Sequence, residues 1–133
     1  INLVDETYNS NPLSLKIAIE NFDKIVTKNA KKYLVLGDML ELGKHSSLQH
    51  RLMIKNINKS NIHKVYVIGK SIKETFSGLS NNKKAKILNS KSEIINLINK
   101  DLNNNDYLMI KGSNATELHK ITSNLKKGKD FIE

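Results

Sequence analysis

Five short apolar runs, at residues 1–4, 33–36, 65–68, 85–88 and 107–110, are each too brief for a helix, and the stretches between them are long enough to hold one. That alternation constrains the fold more than any other feature of the chain. The intervening stretches carry apolar residues at helical spacing. Leu15, Ile19 and Phe22 share one face, as do Leu48, Leu52 and Ile57, then Ile95, Ile98 and Leu102, and last Leu118, Ile121 and Leu125. Strands rich in Val, Ile and Leu that alternate with helices imply a parallel sheet covered on both sides, because each parallel pair needs a crossover. The expected fold is α/β: a three-layer Rossmann-like domain, with a mostly parallel sheet and helices on both faces.

Punctuation supports the element count. Ser46 with Gln49 and Ser90 with Glu93 have capping-box spacing, while Gly78 and Gly128 fall where helices should stop. The run "SNNKK" at 80–84 reads as a mobile surface loop. With 133 residues, 38% hydrophobic, the chain suits a single domain over 1–133 with one real core. One Pro and six Gly argue against disorder, and no stretch is long and apolar enough to span a membrane. The absence of Cys removes disulfides and thiolate metal sites, and the absence of a signal segment points to the cytoplasm. The chain opens on Ile1 inside an apparent strand, so a piece of a longer polypeptide is expected.

A net charge of +9 and a pI near 9.7 raise the question of nucleic acid. The pattern answers against it. Arg51 is the only Arg, the lysines are scattered through every segment, and the few aromatic residues form no stacking platform. His45, His50, His63 and His119 show no metal-ligand spacing, so no metal site is expected from this chain alone. His50 reads as a packing or capping histidine.

The loop "DETYNSNP" at 5–12 joins the first strand to the first helix, at the end of a parallel sheet where ligands bind. Asn11 is a good N-cap and Pro12 a good first helical residue, which accounts for the helix start. Asp5, Tyr8 and Asn9 offer an acceptor, a flat ring and an amide, which suit either a ribose and base or plain loop scaffolding. Asp38 and Glu41, in "GDMLELG", either orient a substrate or neighbouring domain or tie down a loop. Lys111, in "KGS", lies between a strand and a helix expected near Asn114; there it is either an anion contact or a solvated lysine.

Three segments in order, "DETYNSNPLSLKIAI", "YLVLGDMLELGKHSSLQH" and "YLMIKGSNATELHKI", resemble the C-terminal domain of the Mur ligase family, with its D-x-Y-N-A-N-P, V-L-G-D-M-x-E-L-G and K-G-S loops. Asn11 resembles the dipeptide-adding member, since the sister ligases carry His there. The resemblance implies a cytoplasmic, monomeric three-domain enzyme whose last domain is this chain, working with its own N-terminal and central domains. It implies a reaction that adds D-alanyl-D-alanine to UDP-N-acetylmuramoyl-tripeptide through an acyl phosphate, with ATP and Mg2+ bound mainly by the central domain. By the same resemblance Asp5, Tyr8, Asn9 and Asn11 contact the nucleotide, and Lys111, Ser113, Asp38 and Glu41 contact substrate or phosphate. No catalytic residue is assigned within these 133 residues. The chain has no G-x-x-x-x-G-K-[ST] loop, so it is expected to be inert alone. Asn114 replaces the Arg that usually follows K-G-S. Two other readings stay open: a stand-alone α/β nucleotide-binding module, and a basic nucleic-acid-binding domain.

Overall fold

A computed structural model describes residues 2–5, 12–38 and 46–112. The elements run β1 (Asn2–Asp5), α1 (Pro12–Lys24), β2 (Lys32–Gly37), α2 (Ser46–Asn58), β3 (Lys64–Ile68), α3 (Ile72–Gly78), β4 (Lys84–Leu88), α4 (Lys91–Asp101) and β5 (Tyr107–Lys111). All strand pairs are parallel, in the order β1-β5-β2-β3-β4. Each expected strand is present, within a residue or so of its expected ends.

The order explains the layers. From β1 through β4 the chain steps across the sheet in one direction, so right-handed crossovers put α1, α2 and α3 on one face. From β4 it reverses to reach β5, and the same handedness puts α4 on the other. Two apolar cores reflect this division. Leu15, Ile19 and Phe22 of α1, Met53 and Ile57 of α2 and Ile72 of α3 pack on Leu34, Leu36, Val65, Val67 and Met109. Ile94, Leu97 and Ile98 of α4 pack on Tyr33, Val35, Tyr66, Leu108 and Ile110. Successive residues of β2, β3 and β5 thus serve opposite cores, as the period of two requires. Each fully buried Leu, Ile or Phe contributes about 1.5–3 kcal/mol of transfer free energy.

Two helix faces differ from expectation. Ile57 is buried as expected, but Leu48 and Leu52 are both 46% exposed, and His50 and Met53 turn inward in their place. On α4, Ile98 and the following Leu102 are buried as expected, but Ile94 and Leu97 complete the inner face and Ile95 is only partly buried. Glu93 does reach back over the α4 start, but its carboxylate accepts from the Asn89 N–H at 2.8 Å while the Ser90 hydroxyl turns to Ser92.

Residues 80–84 are not a loose loop. The Lys83 and Lys84 N–H groups both donate to the Ser80 carbonyl, the Ser80 N–H donates to Asn58, and the Lys83 side chain is buried. Gly78 ends α3 as expected. Gly128 and the expected helix through Leu118, Ile121 and Leu125 lie outside the described residues, as does the Ser46 side chain. No helix among the described residues is long and apolar enough to cross a membrane.

Candidate functional site

A parallel sheet brings every strand's carboxyl end to one edge, and here the three motif-bearing strands are neighbours. β5 lies between β1 and β2, with Asp5 opposite Ile110 and Leu36 opposite Lys111. The exits of the first, second and third motifs therefore stand side by side. Two inter-strand spacings, roughly 10 Å, separate β1 from β2, which is within the span of one nucleotide-sized ligand. Asp5 closes β1 and Lys111 closes β5 at this shared edge. Tyr8, Asn9, Asn11, Glu41 and Ser113 lie outside the described residues, as do Asn114 and the Asp5 side chain.

Lys111 is fully buried, which removes the solvated-lysine reading; Gly112 beside it is buried as well. Its place in the alternation, in step with Tyr107 and Met109, puts it on the α1–α3 side of the sheet. A cation enclosed at the carboxyl edge is costly unless acceptors or an anion surround it, so a hydrophobe would be the default residue there.

Asp38 has a defined task. Its Oδ1 accepts from the Ile72 N–H at 2.9 Å and its Oδ2 from the Lys70 N–H at 3.0 Å, so the residue leaving β2 is tied to the loop between β3 and α3. Gly69, at φ +132°, makes this possible, because a Cβ there would lie 2.5 Å from Oδ1. The geometry gives this carboxylate the loop-tying role. His50 is buried in α2 and hydrogen-bonds through Nδ1 to the Thr75 hydroxyl of α3, the packing role expected of it.

Among the described residues, the clearest electrostatic perturbations lie toward the opposite, amino edge, which no motif marks. Burial pulls Lys32 and Lys83 below the usual lysine range, partly offset by Asp23. His63 is held low by burial and by Lys31 and Lys64. Burial raises Tyr33 and Tyr66, and for Tyr66 a 2.7 Å hydrogen bond to the Asp101 carboxylate adds to it. A lysine at either end of an apolar run reads as a solvated strand end; only the packed loops beneath show that Lys32 and Lys83 are enclosed. Among the described residues no three His, Asp or Glu side chains group to hold a metal ion.

A family model described as Mur ligase, glutamate ligase domain, matches residues 1–114. The UDP-N-acetylmuramoyl-tripeptide–D-alanyl-D-alanine ligase of Buchnera aphidicola subsp. Baizongia pistaciae is 36% identical over 126 residues, covering 94% of this chain and 26% of the relative. The ligase of the same name from Rickettsia prowazekii is 30% identical over 119 residues, 90% of this chain and 26% of the relative. The chain thus spans about a quarter of the length of the relatives it matches. A MurF ligase from Thermotoga maritima, solved in complex with ADP, matches with a TM-score of 0.75 at 23% identity, over 94% of this chain and 28% of that one. A MurF from Acinetobacter baumannii gives 0.73 at 24%, over 95% and 27%. At such identities the likeness establishes the fold.

Proposed function

The chain belongs to the Mur ligase family, in its glutamate ligase domain, and from that premise we propose that it is the C-terminal domain of the ATP-dependent ligase that joins D-alanyl-D-alanine to UDP-N-acetylmuramoyl-tripeptide in peptidoglycan precursor synthesis. The relatives described above carry that activity in their names, and all are far longer than the matched region. The observation that carries the reading is the adjacency of β1, β5 and β2, which brings the ends of three motifs separated along the chain to one edge.

In this reading the domain binds and positions. Asp5 or Asn11 takes the ribose hydroxyls, and Tyr8 or Asn9 lies near the base. Lys111 and Ser113 face a phosphate or a substrate carboxylate, and Glu41 orients substrate. Asp38 acts on the same edge by tying the chain just after β2 to the loop between β3 and α3. The donor set suits a nucleotide, with oxygen acceptors on one strand end and an enclosed cation on the next. ATP supplies the phosphoryl group that activates the tripeptide's terminal carboxylate, and the amine of D-alanyl-D-alanine completes the amide. The triphosphate itself needs the phosphate loop of a central domain, which this chain lacks. Mg2+ is assigned to the central domain together with the triphosphate it accompanies. The whole enzyme would work as a cytoplasmic monomer, by positioning and charge stabilisation once its domains close.

The test is ADP release by the full-length protein supplied with ATP, Mg2+, UDP-N-acetylmuramoyl-tripeptide and D-alanyl-D-alanine, expected only when both acceptor and dipeptide are present. Turnover that ignores D-alanyl-D-alanine would overturn the substrate assignment. Amide product from residues 1–133 alone would overturn the domain assignment.

A further inference from the structure

The amino edge of the sheet, remote from the three motifs, carries a cavity of about 920 Å³ between the α1–β2 loop, the α2–β3 loop and the turn before β4. Five lysines, Lys24, Lys31, Lys32, Lys64 and Lys83, and His63 line it, against the single carboxylate of Asp23. Two of those lysines are enclosed: Lys32 is 4% and Lys83 8% exposed. The hydrogen bonds their ammonium groups make among the described residues end on backbone carbonyls. Lys32 donates to the Asp23 carbonyl at 2.6 Å, Lys83 to those of Ser60 and Ile62 at 2.7 and 2.8 Å, and Lys64 to that of Asn82 at 2.7 Å. An ammonium has three donors, so these bonds use one of Lys32's and two of Lys83's. The Asp23 carboxylate is itself engaged, accepting from the Asn61 N–H at 2.6 Å.

Tying loops together explains the carbonyl contacts but not the accumulation of like charge. Each additional cation within one partly dry cavity costs Coulomb energy that a solvated, scattered arrangement avoids. A polyvalent anion would relieve that repulsion and take up the remaining donors. We propose that this cavity is a binding site for a phosphate-class oxyanion, held by Lys32 and Lys83 from below and by Lys31, Lys64 and His63 at the rim. The site is independent of the nucleotide edge, and its occupant is recognised by charge and by N–H donors alone.

His63 is the local reporter. Burial first, and then Lys31, Lys64 and Lys83, lower its pKa, while Asp106 raises it; a bound oxyanion offsets the lysine contribution and is expected to shift it upward. The experiment titrates the full-length protein, labelled with 13C at histidine Cε1, with inorganic pyrophosphate at fixed ionic strength. A saturable upward shift of the His63 pKa by pyrophosphate at up to about 10 mM is expected. Lys31→Gln, which leaves both enclosed lysines in place, should weaken binding roughly threefold to tenfold. Lys83→Met should abolish it; if that variant fails to fold, Lys31→Gln still decides. No saturable His63 response overturns the site. A response to poly-glutamate with none to pyrophosphate also overturns it, and makes the cavity a contact for an acidic polypeptide.

Discussion

Replacing Asp38 by Ala isolates the tie between the second motif and the β3–α3 loop. The Ile72 N–H bond is partly buried at 2.9 Å, whereas the Lys70 bond is exposed at 3.0 Å. A sheltered hydrogen bond to a charged group contributes about 1.5–2 kcal/mol and an exposed one about 0.5. The variant should therefore lose about 2–2.5 kcal/mol, which for a domain of this size lowers the melting temperature by roughly 6–12 °C. Urea unfolding followed by circular dichroism measures it. The partner substitution, Gly69→Ala, strikes the same tie from the other side: its Cβ would meet Oδ1 at 2.5 Å and Cγ at 2.6 Å. In the Asp38→Ala background that clash is gone and only the strain of a positive φ remains, about 1–3 kcal/mol. The two costs must then fall short of additivity. If Asp38→Ala costs less than about 0.5 kcal/mol, the ordinary range for a surface position, or if the costs add, the loop-tying role is wrong and the carboxylate is available to a ligand.

Tyr66→Phe tests the second core by pH. The folded phenol's pKa stands above its ordinary 10.0, through burial and then the Asp101 hydrogen bond, so above pH 10 the unfolded chain releases a proton that the folded chain keeps. Stability must fall as pH rises through that range, by up to about 1.4 kcal/mol per unit for one group; the Phe variant should show a shallower alkaline decline, and an unchanged slope would contradict the shift. Thr75→Val leaves the buried His50 Nδ1 without its hydroxyl partner and should cost about 1–3 kcal/mol in urea, with Thr75→Ser restoring most of it. In the full-length enzyme, Asn11→Ala should raise the apparent KM for ATP, and Asn11→Ser, which keeps a helix cap but no amide, should retain that defect. Normal ATP kinetics in Asn11→Ser, with only a lowered melting temperature in Asn11→Ala, would make Asn11 a cap worth about 1 kcal/mol and nothing more.

The strands were legible because β2, β3 and β5 are apolar on both sides, which few other elements tolerate. Helix α2 presents a different face from the one its leucines suggest, for the complementary reason. Leu48 and Leu52 satisfy a helical repeat as well as Met53 and Ile57 do, and the inward turn is decided by His50, a polar residue whose pairing with Thr75 makes burial affordable. Helix α3, short and written "IKETFSG", has too few apolar positions to stand out, yet Ile72 and Thr75 are fully buried in it. Lys83 escaped notice because a lysine in "SNNKK" looks solvated until the carbonyls of Ser60 and Ile62 close around it.

The candidate site was legible in another way and to another depth. Motif order along the chain identifies which loops belong together, but says nothing about which strands touch. That is fixed by the reversal after β4, which inserts β5 between β1 and β2 rather than adding it at the outer edge. Had the chain continued in its first direction, β5 would have flanked β4, and the third motif would have stood four strands from the first, roughly 20 Å away. The reversal also moves α4 to the far face, leaving Lys111 at the carboxyl edge on the side covered by α1, α2 and α3. A single topological choice thus gathers the motifs and encloses the cation, and it is carried by the crossover through α4 rather than by any residue of the motifs themselves.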